Sequence, residues 1–284
     1  MKEQIMILGS DSFIGGNLKK KLLQSGYNVL GTTKRRRLVN KTNYYLNLDD
    51  NNVYLNYDKS VKAAILCAGI TNIDYCEKYS KETYYINVIN TKKIIYELIK
   101  NNTFIVFLST NLVFDGSIPF CKEDDKLSPV IQYGKQKAEV EKFLMENSNK
   151  TLILRLTKVI GSSFKLFEEW KLSLLRGEKI YPYYDMKMSP IPVSFVISVL
   201  KLLIDEQITG IFHLSGEKDI TYKDAACMLI KSIGSDAHLI EPVKGKNKYK
   251  LPENTTLNID KLISYLGVQA PYTEWTIMNY NGFI

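Results

Sequence analysis

From Gln4 to Leu156 short, continuously apolar runs alternate with longer stretches whose apolar residues recur at helical spacing, and few folds accommodate that alternation. The runs Gln4 to Leu8, Asn28 to Leu30, Tyr44 to Leu48, Ala63 to Cys67, Thr103 to Leu108 and Thr151 to Leu156 read as strands. Phe13 to Leu23, Glu82 to Lys100 and Gln132 to Asn147 read as helices. A strand apolar at successive positions has no solvent face, so it belongs in a sheet covered on both sides, and strands joined through helices run parallel. The expectation is an α/β fold with a doubly wound parallel sheet. After Gly161 the rhythm loosens into helices at Phe164 to Leu175, Val193 to Ile204 and Tyr222 to Ser232 and a strand at Ile211 to Leu214, which predicts a smaller, partly interleaved C-terminal lobe. The expected division is residues 1–160 plus roughly 193–215 for the sheet domain, with roughly 161–192 and 216–284 forming the substrate lobe.

The 284 residues, 45% apolar, suffice for a full core. No apolar run reaches the ~18 to 20 residues of a membrane span, and the apolar stretch after Met1 is too short for a signal peptide, so a cytoplasmic protein with no membrane partner is expected. Cys67, Cys76, Cys121 and Cys227 lack paired spacing and neighbouring His, which argues against zinc or a disulfide framework and predicts no metal. The formal charge of +8 is spread as Lys along the whole chain, and no aromatic-basic recognition module accompanies it, so nucleic acid is not expected as a partner.

The first strand leads into Gly9-Ser10-Asp11-Ser12-Phe13-Ile14-Gly15-Gly16 and then a helix. Small residues at such a turn let backbone N–H groups and a helix N-terminus meet a pyrophosphate, so Gly9, Ser12, Phe13, Ile14 and Gly15 are candidate cofactor residues of a Rossmann-type domain. After the second strand comes Thr33-Lys34-Arg35-Arg36-Arg37, with no carboxylate between Ser25 and Leu48 and three of the five arginines together. Guanidinium groups suit a 2'-phosphate, so Thr33, Lys34, Arg35 and Arg36 point to NADP(H) in preference to NAD(H).

The turn resembles the Gly-x-x-Gly-x-x-Gly of extended short-chain dehydrogenases, with Ser12 at the middle glycine. Asn47-Leu48 resembles that group's Asp-Leu segment beside the adenine, Cys67-Ala68-Gly69 its cofactor-contacting turn after the fourth strand, and Asn87 the Asn of its Asn-Val-x-Gly-Thr helix. Phe107-Leu108-Ser109-Thr110-Asn111-Leu112-Val113-Phe114-Asp115-Gly116 is the most specific stretch, similar to the Ser-Thr-Asp-Tyr-Val-Phe-Asp-Gly segment of dTDP-4-dehydrorhamnose reductases. The resemblance implies that Thr110 bonds the substrate carbonyl, with Ser109 as its substitute and a cofactor neighbour. It continues through Ile153-Leu154-Arg155-Leu156, Gly210 to Gly216 and Pro252 to Asn258, but Leu251 stands where Arg is usual, Lys158 replaces a Trp, and Asp185 to Pro190 keeps the pattern only in part.

Carbonyl reduction requires a proton donor, which a Tyr-x-x-x-Lys pair on one helix face supplies, the ammonium favouring the tyrosinate. With 19 Tyr and 33 Lys roughly two such pairs arise by chance, and three occur: Tyr96/Lys100, Tyr133/Lys137 and Tyr183/Lys187. Only Tyr133 opens a helix after a strand ending in adjacent hydroxyls, so Thr110, Tyr133 and Lys137 are the expected catalytic residues, Tyr133 and Lys137 also facing the cofactor. The resemblance implies NADPH-dependent reduction of a 4-keto sugar nucleotide, and it is compatible with a homodimer. Two alternatives stay open: an NAD-dependent epimerase, and a non-catalytic NADP-binding regulatory protein, since the reductase family includes a relative acting as a regulatory subunit.

Overall fold

The computed structural model of the chain describes residues 4–55, 57, 60–162, 164–245 and 252–280; Leu251 lies outside the described residues. The chain divides into two compact units, one of Met1–Val113, Pro129–Arg155 and Ile197–Phe212, the other of Phe114–Ser128, Leu156–Val196 and His213–Ile284.

The first unit is built on a Rossmann-type parallel sheet. Its strands are β1 (Gln4–Leu8), β2 (Asn28–Thr33), β3 (Asn43–Tyr45), β4 (Ala63–Leu66), β5 (Phe104–Thr110) and β6 (Thr151–Leu156). With Gly210–Leu214 at one edge, the order is Gly210–Leu214, β6, β5, β4, β1, β2, β3. Registers such as Ile5↔Val29, Ile5↔Ala63 and Ala63↔Phe104 are parallel. The apolar runs of β1, β4, β5 and β6 bury every residue from Ile5 to Leu8, Ala63 to Leu66, Phe104 to Thr110 and Thr151 to Leu156, as strands covered on both faces must. The helices of this unit include α1 (Phe13–Gln24), α2 (Ile73–Lys78), α3 (Ser80–Tyr84), α4 (Thr91–Lys100) and α5 (Gln132–Asn147); α4 turns Ile94, Ile95 and Leu98 toward this sheet, and α5 adds Val140 and Leu144 to the same core. Beneath α5, Glu141 and Arg155 form a buried ion pair at 2.8 Å, the only such pair in which both side chains are under 3% exposed among the described residues.

Strand order reverses between β1 and β4, since the chain runs outward from β1 through β2 to β3 and then returns to the other side. Loops diverge there and leave a crevice at the carboxyl ends of the strands, where ligands of such sheets bind.

The sequence reads Glu82 to Lys100 as one helix, but the structure divides it: a short helix α3 (Ser80–Tyr84), a π-helical turn Tyr85–Asn90, then α4. Thr91 Oγ1 donates to the carbonyl of Ile86, five residues back, at 3.0 Å. A helical period carries no mark of such a widened turn, because the apolar stripe continues through it.

In the second unit Lys158–Ile160 pairs in parallel with Pro190–Pro192, and Ile220–Thr221 runs antiparallel to Lys187–Met188. Helices at Lys165–Leu175, Val193–Asp205 and Tyr222–Ile233 follow the sequence reading closely; Val193–Asp205 passes from this unit into the first. Phe167 stacks on Trp170 and meets Tyr280 edge-on. Trp170 is a packing anchor of this unit, whereas Trp275 is 53% exposed. His213 is fully buried with Nδ1 at 3.1 Å from the Asn258 carbonyl, a core residue. No helix among the described residues is long and apolar enough to cross a membrane.

Candidate active site

The turn between β1 and α1 (Phe13–Gln24) is set by two residues. Gly9 has φ +82°, and a Cβ there would lie 2.9 Å from the Ala68 nitrogen, so only glycine fits. Ser12 sits at φ −77° and ψ 167°, an ordinary extended conformation, and its Oγ accepts the N–H of Gly15 at 3.2 Å as the helix N-cap. The serine at the middle glycine position is therefore unstrained. Of the amides that a helix start leaves without intrahelical acceptors, it takes one.

These residues border a cavity of about 640 Å³ at the crevice, within the size range of small-molecule sites. Gly9, Ser12, Thr33, Lys34, Arg35, Asn47, Leu48, Cys67, Ala68 and Gly69, all singled out from sequence, line it. Phe13, Ile14, Gly15, Arg36, Asn87, Ser109, Thr110, Tyr133 and Lys137 do not line it directly. Asn87 lies in the π-helical turn and braces the wall from behind: Oδ1 accepts from Ile70 N at 2.8 Å while Nδ2 donates to Ile70 O at 2.9 Å and to Gln136 Oε1 at 2.8 Å. Asn47 turns its amide onto Asp50 Oδ1 at 2.8 Å. Among the lining residues that sequence reasoning missed, Asp11, Thr32, Asp49, Tyr75 and Glu82 are polar. Asp11 lay inside the glycine turn in plain view, but the residues it meets are distant in sequence. A groove floored by glycine, with a helix N-terminus at one end, fits a dinucleotide by its chemistry.

The three Tyr-x-x-x-Lys pairs separate at once. Tyr96 is 52% exposed on α4 and Tyr183 is 37% exposed in the second unit, whereas Tyr133 is buried. Tyr133 opens α5, and Lys137 one turn later donates to the Leu108 carbonyl at 2.8 Å, the residue before Ser109 and Thr110. Its Nζ lies 4.4 Å from the Phe107 ring centroid and 5.8 Å from that of Tyr133. Gly134 lets this helix approach: a Cβ there would stand 2.0 Å from the Leu112 carbonyl in the turn that follows Thr110. Thr110 Oγ1 accepts the N–H of Leu112 at 3.2 Å and is 3.4 Å from Asn111 Oδ1. Ser109 Oγ is buried with no hydrogen-bond partner among the described residues.

Desolvation brings Lys137 down to about 8, against the opposing pull of Cys67, Glu141 and Cys76. Burial pushes the Tyr133 phenol up, with Cys76 adding to the rise. The expected lowering of the phenol by Lys137 is thus corrected, because desolvation outweighs an ammonium whose hydrogen bond goes to Leu108. Cys67, at the cavity wall, is raised to about 12 by desolvation. All four cysteines are free thiols, and no group of His, Cys, Asp or Glu among the described residues can hold a metal.

The family described as RmlD substrate binding domain matches residues 1–278. "Methionine adenosyltransferase 2 subunit beta" of Rattus norvegicus is 26% identical over 284 residues, covering 95% of this chain and 84% of its own. The "dTDP-4-dehydrorhamnose reductase" of Aggregatibacter actinomycetemcomitans is 25% identical over 99% of both chains. Among solved structures, the dTDP-4-dehydrorhamnose reductase of Bacillus anthracis in complex with NADP superposes with TM-score 0.84 at 21% identity over 99% of each chain.

The preference for NADP(H) over NAD(H) is overturned. Most solved relatives described with a dinucleotide hold NAD, including the dTDP-glucose 4,6-dehydratase of Bacillus anthracis (TM-score 0.78, 17% identity, 98% and 95% coverage) and WbmG of Bordetella bronchiseptica (TM-score 0.80, 18% identity, 99% and 94% coverage). MoeE5 holds NAD in its complexes with UDP-glucuronic acid and with UDP-glucose. The physical reason is that the basic run is not free to act as read. Arg35 pairs with Asp11 at 3.4 Å, Arg36 lies over the Tyr45 ring at 4.5 Å, and the carboxylates Asp11, Asp49 and Glu82 line the cavity beside Lys34 and Arg35.

Proposed function

The chain belongs to the RmlD substrate binding domain family, and on that footing we propose that it is a nicotinamide-dinucleotide-dependent reductase of a keto-sugar carried on a nucleotide. The observation that carries the reading is the buried Tyr133 beside Lys137, whose ammonium is held against the strand that ends in Ser109 and Thr110.

A dinucleotide would lie in the cavity over Gly9, its pyrophosphate against the first turn of α1, with Cys67, Ala68 and Gly69 forming the wall across from it. When bound and reduced, it supplies a hydride to the carbonyl carbon. Tyr133 Oη gives its proton to the carbonyl oxygen as charge develops there. A phenol raised by burial remains fully protonated near neutral pH, the form a general acid needs, and an alkoxide is basic enough to take its proton. Thr110 Oγ1 orients the carbonyl by exchanging its long contact to Asn111 for the substrate oxygen. Lys137 places a positive charge beside the site and would hold the ribose hydroxyls of a bound dinucleotide; protonated below about pH 8, it favours the anion developing next to it.

A second reading, a non-catalytic dinucleotide-binding subunit, draws support from the relative named as a subunit at 26% identity. The two are separated by turnover. A panel of dTDP-, UDP- and GDP-4-keto-6-deoxy sugars, offered with NADH and with NADPH, is expected to give dinucleotide oxidation with at least one sugar. Dinucleotide binding without oxidation across the panel would favour the subunit.

A further inference from the structure

Asp11 comes from the turn between β1 and α1 and reaches the end of β2, where its Oδ2 accepts from Thr33 Oγ1 at 3.0 Å and pairs with Arg35 Nε at 3.4 Å. Thr33 Oγ1 in turn accepts the backbone N–H of Arg35 at 3.0 Å, so one carboxylate anchors the turn after β2 through both a hydroxyl and a guanidinium. Both contacts fall on the same oxygen. Oδ1 has no hydrogen-bond partner among the described residues, the side chain is 23% exposed, and Asp11 lines the cavity.

We propose that Asp11 selects the form of the dinucleotide, accepting a hydroxyl of the adenine ribose and excluding a 2'-phosphate, so that the site takes NAD(H). This rests on reading the cavity as a dinucleotide site. Sheets of this kind usually carry the ribose-binding carboxylate in sequence just after β2, where this chain has only Lys34, Arg35, Arg36 and Arg37. Here the carboxylate arrives at the same place through space. A ribose hydroxyl donates to it, whereas a phosphate brings a second anion against the first. Of the two cations that line the cavity, Lys34 and Arg35, Arg35 already shares its charge with Asp11, and the neighbouring Arg36 is spread over Tyr45.

The test is titration of the wild type and of Asp11→Asn with NADH and NADPH, followed by nicotinamide fluorescence, with thermal melts to show that the variant is folded. Asp11→Asn preserves shape and an acceptor for Thr33 but removes the charge. The wild type is expected to bind NADH more tightly. The variant is expected to move the ratio of the two affinities toward NADPH by about tenfold or more, the scale of one hydrogen bond to a charged group. Asp11→Ser serves the same comparison if the Asn variant melts early. Wild-type preference for NADPH, or a ratio that both variants leave unchanged while NADH still binds, overturns the role of Asp11 and leaves the dinucleotide site standing. Failure of the wild type to bind either dinucleotide overturns the reading of the cavity itself and this inference with it.

Discussion

A desolvated lysine and a buried phenol one helical turn apart form an arrangement that is costly to fold, the kind of perturbed pair that marks a candidate functional site. Tyr133→Phe removes only the proton donor, so kcat/KM on a responsive substrate is expected to fall about 10²- to 10⁴-fold while dinucleotide affinity is kept. Equal losses in both would make Tyr133 a binding residue. For Lys137 the sign follows from linkage. Its native value of about 8 lies below the unfolded 10.5, so both states are protonated at pH 7 and the desolvation cost is fully present; it fades as pH rises from about 8 toward 10.5. Any stability advantage of Lys137→Met over the wild type is therefore expected to shrink by at most about 3 kcal/mol across that window, read from urea unfolding at each pH. A pH-independent difference would contradict the desolvation. Ser109 illustrates the opposite case. Its buried hydroxyl lacks a partner, so Ser109→Ala is expected to be neutral or stabilising by about 1 kcal/mol, and a large stability loss would reveal a partner for that oxygen. None of these environments is visible in the sequence, which marked Tyr133 and Lys137 by spacing and context and could not say that burial would dominate their titration.

At the scale of elements, the site depends on how closely α5 approaches the turn after β5. Gly134 permits that approach, since any Cβ would collide with the Leu112 carbonyl. Gly134→Ala is expected to displace the first turn of α5, costing roughly 1 to 3 kcal/mol of stability and a larger share of kcat, because Tyr133 moves with it. Unaltered kinetics would show that the helix has slack. The sequence marked both the helix Gln132–Asn147 and the strand before it because their periodicities are strong. It missed the π-helical turn Tyr85–Asn90, where Asn87 braces Ile70 and Asn90 donates to the carbonyls of Leu48 and Asp50. Those are tertiary partners, and it is they that hold the widened turn in place.

For the whole molecule, the consequence of a dinucleotide site is thermodynamic. A ligand at 100 times its Kd adds about 2.7 kcal/mol to the unit that binds it. A rise in calorimetric melting temperature of roughly 5 to 10 °C is expected with the preferred dinucleotide, and in the unit holding β1 and α1 if the two units unfold separately. Gly9→Val, which crowds the Ala68 backbone, is expected to lose the rise. A wild type that melts unchanged with saturating dinucleotide would assign the cavity to another ligand. The relatives share the overall plan but differ in name and bound cofactor, so the plan alone does not set specificity.

Apolar periodicity along the chain determined the sheet, its helices and the glycine turn, because strand and helix patterns and a Gly-bearing β–α turn are local properties of a sequence. Contacts between residues far apart decided the rest. Asp11 meets Thr33 and Arg35 across 22 and 24 positions, Lys137 reaches Leu108 across 29, and Asn87 reaches Gln136 across 49. Charge in a linear window counted the arginines of one loop without the carboxylate folded against them, and electrostatic energy depends on distance in space.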